Sequence, residues 1–181
     1  MAIKRKAAVL CAAALGLAIV IPSMCALYAA SVGQVMNNVS LRDSSDNPGA
    51  RIPDFGAKVV AVFYVDPDNS DRNEPLRDAL KAANLPVATF RAVGVVNLAE
   101  SWKPNGIIRT MIRQKERKYG SIVLTDPDRT LKNAWSLGDC DGRDIVIILG
   151  KNRQVKYINN GSVRGDEINR VLDLVRAEIG K

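Results

Sequence analysis

The sequence predicts an α/β fold in which helices cover both faces of a mixed β-sheet. Three observations predict it. Residues 58–65 are a nearly continuous apolar, β-branched run, which is typical of a strand buried on both faces of a sheet. A helical segment and a second apolar strand follow, and this β-α-β order implies parallel pairing through a right-handed crossover. The chain then closes with an amphipathic helix that can lie along the sheet.

Composition limits the classes of function. The 181 residues are 47% hydrophobic and 25% charged, which suits one globular domain. The sequence contains no histidine, which excludes Ser-His-Asp and Cys-His nucleophile systems and histidine metal sites. Removing the charges of Lys4, Arg5 and Lys6 with a leader lowers the net charge from +7 to +4. That charge is too small and too dispersed to predict nucleic-acid binding.

The N-terminus has the organisation of a secretory signal, with a positive segment at residues 1–6 and an apolar run at residues 7–21. We predict cleavage after Ala29, which assigns residues 1–29 to a signal peptide and residues 30–181 to one domain in the periplasm. Cleavage after Ser31 and an uncleaved membrane anchor are the alternatives, because apolar character continues to about residue 30. A cleaved leader would contact the membrane only transiently.

Residues 32–55 contain a turn-rich stretch at residues 43–49, which predicts an N-terminal β-hairpin before the central strand. After that strand, Asp71 and Glu74 have the spacing of a capping box. We therefore expect a helix from about Arg72.

Pro86 ends that helix, and residues 88–96 are predicted as the second parallel strand. Pro104 and Asn105 open another helix. Its inward side is predicted to be apolar, formed by Ile107, Ile108, Met111 and Ile112. Its outward side is predicted to be basic and solvated, formed by Arg109, Arg113, Arg117 and Lys118.

The C-terminal half completes the sheet. Residues 121–125 form a short strand, and Asp128 is expected to cap a short helix that runs to Trp135. Residues 144–149 and 154–158 are separated by a short turn and predict a second hairpin. The final helix has its apolar residues at helical spacing, namely Ile168, Val171, Leu172, Val175 and Ile179.

In this order the elements resemble the thioredoxin-like fold, in the variant shared by peroxiredoxins and thiol-disulfide proteins of the TlpA type. The resemblance covers the whole mature chain and implies a three-layer α/β/α architecture. A closer resemblance is to the YtfJ family of exported thioredoxin-like proteins. It rests on residues 32–34, 95–97, 134–137, 144–149 and 150–155.

The resemblance also shows what the chain lacks. Redox members carry a thiol in the first turn of the helix after the central strand, where the helix dipole favours the thiolate. Residues 68–73 contain no cysteine. Redox members also have a cis-proline before the strand that corresponds to residues 145–149, and here Arg143 or Asp144 takes that place. The resemblance therefore implies a thioredoxin scaffold without its redox site.

Cys140 is the one cysteine of the predicted mature chain, so no internal disulfide can form. It lies in the loop 137–142, on the side of the domain where the redox site would be. Cys140 is thus the candidate catalytic thiol, although the flanking Asp139 and Asp141 disfavour a thiolate. We favour an incidental loop cysteine.

We expect a ligand-binding edge at the carboxyl ends of the strands, where α/β proteins hold ligands. Its candidate residues come from the segment after the central strand and from the Cys140 loop: Asp68, Asn69, Ser70, Asp71, Arg72, Asp139, Cys140 and Asp144. Two Asp-Pro-Asp turns, at residues 66–68 and 126–128, could place carboxylates around an ion, but turn formation and capping account for them without a metal. No motif predicts a cofactor.

Three functions follow from these observations. The favoured one is a periplasmic, non-catalytic binding protein that holds a peptide, a protein or a small ligand at this edge. The alternative is a peroxiredoxin-like or thiol-exchanging enzyme that uses Cys140 alone. The third is a scaffold that makes contacts through the basic helix at residues 109–118.

Overall fold

The computed structural model describes residues 29–181, which form one seven-stranded sheet and four α-helices. The strands are β1 (Leu41–Asp43), β2 (Pro48–Ala50), β3 (Val59–Val65), β4 (Phe90–Val96), β5 (Ile122–Thr125), β6 (Ile145–Leu149) and β7 (Val155–Asn160). The helices are α1 (Glu74–Ala82), α2 (Asn105–Tyr119), α3 (Thr130–Ala134) and α4 (Asp166–Ile179). None of these helices is both long and apolar enough to cross a membrane. The predicted leader lies outside the described residues, apart from Ala29, so its prediction is not tested.

The sheet is mixed, as predicted. Its strand order is β2-β1-β5-β4-β3-β6-β7. The strands β3, β4 and β5 run parallel, whereas β6 pairs antiparallel with β3 and β7 pairs antiparallel with β6. Both predicted hairpins are present, as β1-β2 and β6-β7. The register places Val65 opposite Val96 and Val96 opposite Thr125, so the three parallel strands end in one row.

Strand β3 divides the core between the two faces of the sheet. All seven of its residues are buried. Alternate side chains point to opposite faces of a strand, so Val60, Val62 and Tyr64 join one apolar cluster and Val59, Ala61 and Phe63 join the other. A continuous apolar run is what such a doubly covered strand requires, which confirms the prediction.

Three layers result from this arrangement. Helices α1, α2 and α4 cover one face, where Leu76, Ile108 and Val171 are buried. Helix α3 and the N-terminal segment cover the other face through Leu131, Trp135, Met36 and Ile52. The indole Nε1–H of Trp135 donates to the carbonyl of Asn37 at 2.8 Å and so holds the N-terminal segment against α3.

The predicted capping box at α1 is wrong. Helix α1 begins at Glu74 with Asn73 at its N-cap. The side chains of Asp71 and Glu74 instead form ion pairs with Lys115 of α2. A long cationic side chain from a neighbouring helix thus replaces the local backbone contacts that the sequence pattern predicts.

Two further expectations differ from the structure. Asp126, and not Asp128, caps α3, because its carboxylate accepts the backbone N–H groups of Thr130, Leu131 and Lys132, whereas Asp128 is exposed. On α2, Ile108 and Ile112 are buried, but Ile107 is 52% exposed. The inward side of this helix is therefore narrower than the sequence predicts.

Candidate functional site

Three buried polar side chains form a row at the carboxyl ends of the parallel strands. Asp66, Asn97 and Asp126 each follow the last residue of β3, β4 and β5, and those last residues are aligned in register. All three side chains are buried. Burial of such groups is costly unless hydrogen bonds compensate it, so the partners of each member indicate its role.

Asp126 is fully used by the fold. Its carboxylate accepts the hydroxyl of Tyr64 at 3.0 Å and three backbone N–H groups of the first turn of α3, at 2.6, 3.0 and 3.3 Å. Four donors on one buried carboxylate make it a structural cap that joins β3, β5 and α3.

Asp66 joins the end of β3 to the loop that precedes β6. One carboxylate oxygen accepts the N–H of Asp68 at 2.7 Å, and the other accepts the N–H of Gly142 at 2.7 Å. Gly142 has a φ of +62°, a conformation that favours glycine, and a Cβ added there would stand 3.9 Å from the side-chain nitrogen of Asn69. The loop containing Cys140 is therefore bound directly to the segment that follows β3.

Asn73 makes the corresponding connection to the end of β7. Its side chain is buried, accepts the N–H of Val163 at 2.8 Å and donates to the carbonyl of Gly161 at 2.9 Å. Gly161 in turn donates its N–H to the carbonyl of Asp144 at 2.8 Å. These bonds bring the start of α1 and the end of β7 around the residue that opens β6.

Asp144 stands at the centre of these connections. Like the buried amide of Asn97, and unlike the other buried carboxylates, its side chain lacks a hydrogen-bond partner among residues 29–181. It is 1% exposed, and neither carboxylate oxygen has a partner in hydrogen-bond geometry among residues 29–181. The N–H of Asp66 and the amide of Asn73 face it without reaching that geometry. Burial raises the pKa of this carboxyl to about 6, and the positive charge of Arg77 opposes the rise.

Arg77 is the cation that faces this carboxyl. It is half-buried, its guanidinium lies 4.6 Å from the ring centre of Phe63, and it donates to the carbonyl of Ser70 at 3.2 Å. Burial lowers the pKa of the guanidinium and the charge of Asp144 opposes this, but arginine stays protonated at physiological pH. We call Asp144, Arg77, Asn73 and Asp66 the Asp144 cluster.

The structure brings only part of the predicted edge to this cluster. Asn69 lies beside Gly142, and the charge of Arg72 acts on Asp144. Asp68 and Asp71 turn instead toward the α2 side, where Asp68 pairs with Lys103 at 2.9 Å and Asp71 with Lys115 at 2.5 Å.

The remaining predicted residues differ in their placement. Ser70 is half-buried and its hydroxyl meets Asp71 at 3.4 Å. Asp139 is exposed at the loop tip, where its carboxylate accepts the N–H of Asp141 at 3.1 Å.

Cys140 departs from the expectation of an accessible edge thiol. Its side chain is 0% exposed and belongs to the core cluster on the α3 face, with Trp135 and Leu137. Its Sγ lies 3.5 Å from the carbonyl of Gly138. The thiol packs into the core because the loop crosses the sheet edge with this residue turned inward, and a buried thiol is inert until the loop opens.

The arrangement offers a buried carboxyl with a raised pKa beside the cation of Arg77. Within residues 29–181 no three acidic, cysteine or histidine side chains converge as metal ligands, and no peptide bond is cis. A carboxyl of this kind can bind a cation or a hydrogen-bond donor. It can also gain a proton close to neutral pH.

Asn73 and Arg77 are functional candidates that sequence reasoning missed. They stand four residues apart on α1 and therefore share one face of the helix. A polar pair beside the apolar residues Leu76 and Leu80 is a sequence pattern that could have marked these two side chains as candidates. Its partner, Asp144, is about 70 residues away in sequence and could not be assigned from local spacing.

Comparisons with known proteins agree with this fold. A family model described as "Bacterial protein of unknown function (YtfJ_HI0045)" matches residues 57–178. Two similar proteins are the "Uncharacterized protein YtfJ" of Escherichia coli K12, with 24% identity over 108 residues, and an "Uncharacterized protein" of Haemophilus influenzae, with 24% identity over 107 residues. The alignments cover 59% and 58% of this chain, and 58% and 57% of the two relatives, so the match spans under two thirds of either relative.

Solved structures of thioredoxin-like proteins resemble the chain at low sequence identity. The thioredoxin domain of a thiol-disulfide oxidoreductase from Bacteroides vulgatus has a TM-score of 0.58 and 16% identity, covering 80% of this chain and 98% of that domain. The exposed lipoprotein thioredoxin of Streptococcus pneumoniae has a TM-score of 0.57 and 16% identity, covering 76% of this chain and 98% of that protein. At such identities the likeness shows the fold alone.

Proposed function

Because the chain belongs to the YtfJ family and has a thioredoxin-like fold, we propose that it acts outside the cytoplasm as a binding protein that does not exchange disulfides. The observation that carries the proposal is the Asp144 cluster. A buried carboxylate without a hydrogen-bond partner among the described residues precedes β6, where the resemblance to redox proteins implies that Arg143 or Asp144 takes the place of the cis-proline. The thiol of Cys140 packs into the core.

A ligand at this site would meet a carboxylate at the base of the edge. It would therefore offer a cation or a hydrogen-bond donor, from a peptide, a protein or a small molecule. Access requires a local opening, because Asp144 is 1% exposed, and the bond from the Gly142 N–H to Asp66 is one contact that holds the surrounding segments together. Binding would then replace the missing partners of Asp144.

Photocross-linking in cells tests a peptide or protein ligand. We would replace the exposed Asp139 by the photoreactive residue benzoylphenylalanine, and place the same residue at exposed Arg170 on α4 as the control. A discrete adduct from position 139 that is absent from position 170 and disappears with Asp144→Asn is the expected result. An adduct that persists in Asp144→Asn would contradict a role of this carboxylate.

Native mass spectrometry tests a small ligand. Protein recovered from the cell envelope is expected to carry a mass increment that Asp144→Asn loses and the exposed control Asp173→Asn keeps. The same spectra report the N-terminus. A chain that begins at residue 30 is the expected result, whereas an intact Met1 would identify the leader as an anchor and a chain confined to the cytoplasm would contradict export.

The alternative, a single-cysteine redox enzyme, needs an accessible thiolate. The burial of Cys140 argues against it. Stopped-flow oxidation by peroxide separates the two functions. We expect native Cys140 to react no faster than a free cysteine peptide, and a reaction many times faster would favour the enzyme.

A further inference from the structure

A second candidate site lies beside the Asp144 cluster, whose Arg77 also lines it. Between α1 and α2, above β4, the structure forms a partly open cavity of about 290 Å³. The apolar core on this face is divided there, because the residues packed under α1 and those packed under α2 form separate clusters. The gap between the two clusters is the cavity.

The sequence creates this space through small residues in β4. Ala92 and Gly94 point toward the helices, since the alternate residues Val93 and Val95 belong to the opposite face. Gly94 has no left-handed φ, and a Cβ added there would make only an ordinary contact, at 3.4 Å, with Val123. The backbone therefore does not require glycine at this position. Its effect is to leave the floor of the cavity empty.

The walls are apolar and the cavity opens at one end. Leu80, Ile108, Met111 and Ile112 line its interior together with Phe63 and Val96. The exposed lining residues, Lys81, Asn84, Val87 and Gly120, gather where α1 and α2 end. Val87 is 80% exposed at this mouth. An apolar pocket with a few polar groups at its mouth is typical of a small-molecule site.

The mouth carries a positive charge. Among the described residues no acidic side chain lines the cavity, whereas the exposed Lys81 stands at its open end. Lys81 donates to the carbonyl of Lys118 at 2.5 Å, so its charge is not neutralised by that contact.

We propose that this cavity binds a single-chain anionic amphiphile, with its hydrocarbon chain between α1 and α2 and its acidic head group at Lys81. The volume is nearly twice that of an apolar cavity of ~150 Å³ that holds benzene, which corresponds to a chain of roughly ten to twelve carbons. The two sites share Arg77 as a lining residue, but the proposed contacts of the amphiphile are the apolar walls and Lys81, and not Asp144. Either proposal can fail without the other.

Calorimetric titration of protein recovered from the envelope with dodecanoate, below its micelle concentration, tests the site. We expect saturable one-to-one binding with a dissociation constant on the order of 10 µM. Gly94→Leu fills the floor and should weaken binding at least about 30-fold, and Ala92→Leu is the second variant if the first does not fold. Absence of saturable binding, or full affinity in a folded floor variant, would overturn the proposal.

The head group is tested separately. Lys81→Ala should weaken dodecanoate binding about threefold to fivefold and leave dodecanol binding unchanged, while the exposed control Arg170→Ala should change neither. Vesicles rich in an anionic phospholipid distinguish a free amphiphile from a membrane surface. Binding to these vesicles that survives Gly94→Leu, with no binding of dodecanoate, would identify surface charge attraction and contradict the cavity site.

Discussion

Asp126 and Asp144 are buried to the same extent, 1% exposed each, at two places along the same sheet edge, and their surroundings are opposite. Asp126 receives four donors from β3 and α3. Asp144 has no partner in hydrogen-bond geometry among the described residues and faces Arg77 across a gap. Burial alone therefore does not show what a buried carboxylate does. The number of hydrogen-bond donors around each carboxylate distinguishes the structural cap at Asp126 from the proposed binding group at Asp144.

The largest expected effect is at Asp126. Asp126→Asn keeps the shape but cannot accept all four donors, and hydrogen bonds to a buried charge are each worth about 1.5–3 kcal/mol. We expect the free energy of unfolding in urea to fall by about 2–4 kcal/mol. A change below 1 kcal/mol would show that the cap of α3 is not stabilising and would contradict the structural role that distinguishes Asp126 from Asp144.

The same substitution at Asp144 should have the opposite sign. Removing a buried charge without hydrogen bonds relieves its desolvation, so Asp144→Asn is expected to raise the free energy of unfolding at pH 7 by about 1–3 kcal/mol. Urea titration of the two Asn variants side by side measures the contrast. Loss of stability at both positions would mean that Asp144 is also structural.

The pH dependence of this gain in stability follows from the raised pKa of Asp144. Between the ordinary value of 3.8 and about 6, native Asp144 binds more protons than the unfolded chain does. Its contribution to stability is therefore present at pH 4 and declines as the pH rises through this window. The stability difference between the variant and the wild type should be small at pH 4 and reach its full size above pH 6. A pH-independent difference would contradict the titration of this carboxyl.

A smaller effect on the free energy of unfolding is expected at Cys140, a third buried side chain near this sheet edge. Cys140→Ser puts a hydroxyl into the core beside Trp135 and should cost about 1–2 kcal/mol of unfolding free energy. The cross-linking adduct at position 139 should persist, since the thiol takes no part in binding. In the wild type, alkylation should be at least about 100-fold slower in native buffer than in urea. Rapid native alkylation would show that the thiol opens to solvent.

The smallest effect on stability is expected at Lys115, whose carboxylate partners are partly exposed to solvent. Lys115 pairs with Asp71 and Glu74, where Asp71 is largely exposed. Lys115→Ala should lower the free energy of unfolding by less than about 1 kcal/mol, and 1 M NaCl should reduce that difference further. A larger, salt-insensitive loss would indicate that α1 depends on this contact as α3 depends on Asp126.

The strands and their order along the chain could be predicted from the sequence because they follow from patterns within short segments. The apolar run of β3 and the turn residues of both hairpins are examples. Contacts between distant segments could not be predicted in this way. Asp71 and Glu74 have a capping spacing, yet Lys115, about 40 residues away, takes both.

The candidate site shows the same limit. Asp144 could be selected because the resemblance implies that Arg143 or Asp144 takes the place of the proline of redox relatives, and Asn69 and Arg72 because they follow the central strand. The orientation of Cys140 depends on how its loop crosses the sheet edge, which no local pattern encodes. The cavity between α1 and α2 depends on the spacing of two helices. The effect of the small residues of β4 can therefore be recognised only in the three-dimensional structure.

The alignment of the three strand ends has a consequence for how the family can change over evolution. Val65, Val96 and Thr125 stand in one row, so Asp66, Asn97 and Asp126 stand in the next. Inserting or deleting one residue in any of these strands would move one polar side chain out of the row and turn the neighbouring residues to the wrong face. We therefore expect the lengths of these strands to be inherited together, and natural length variation to accumulate in the hairpins and in the turn after α1.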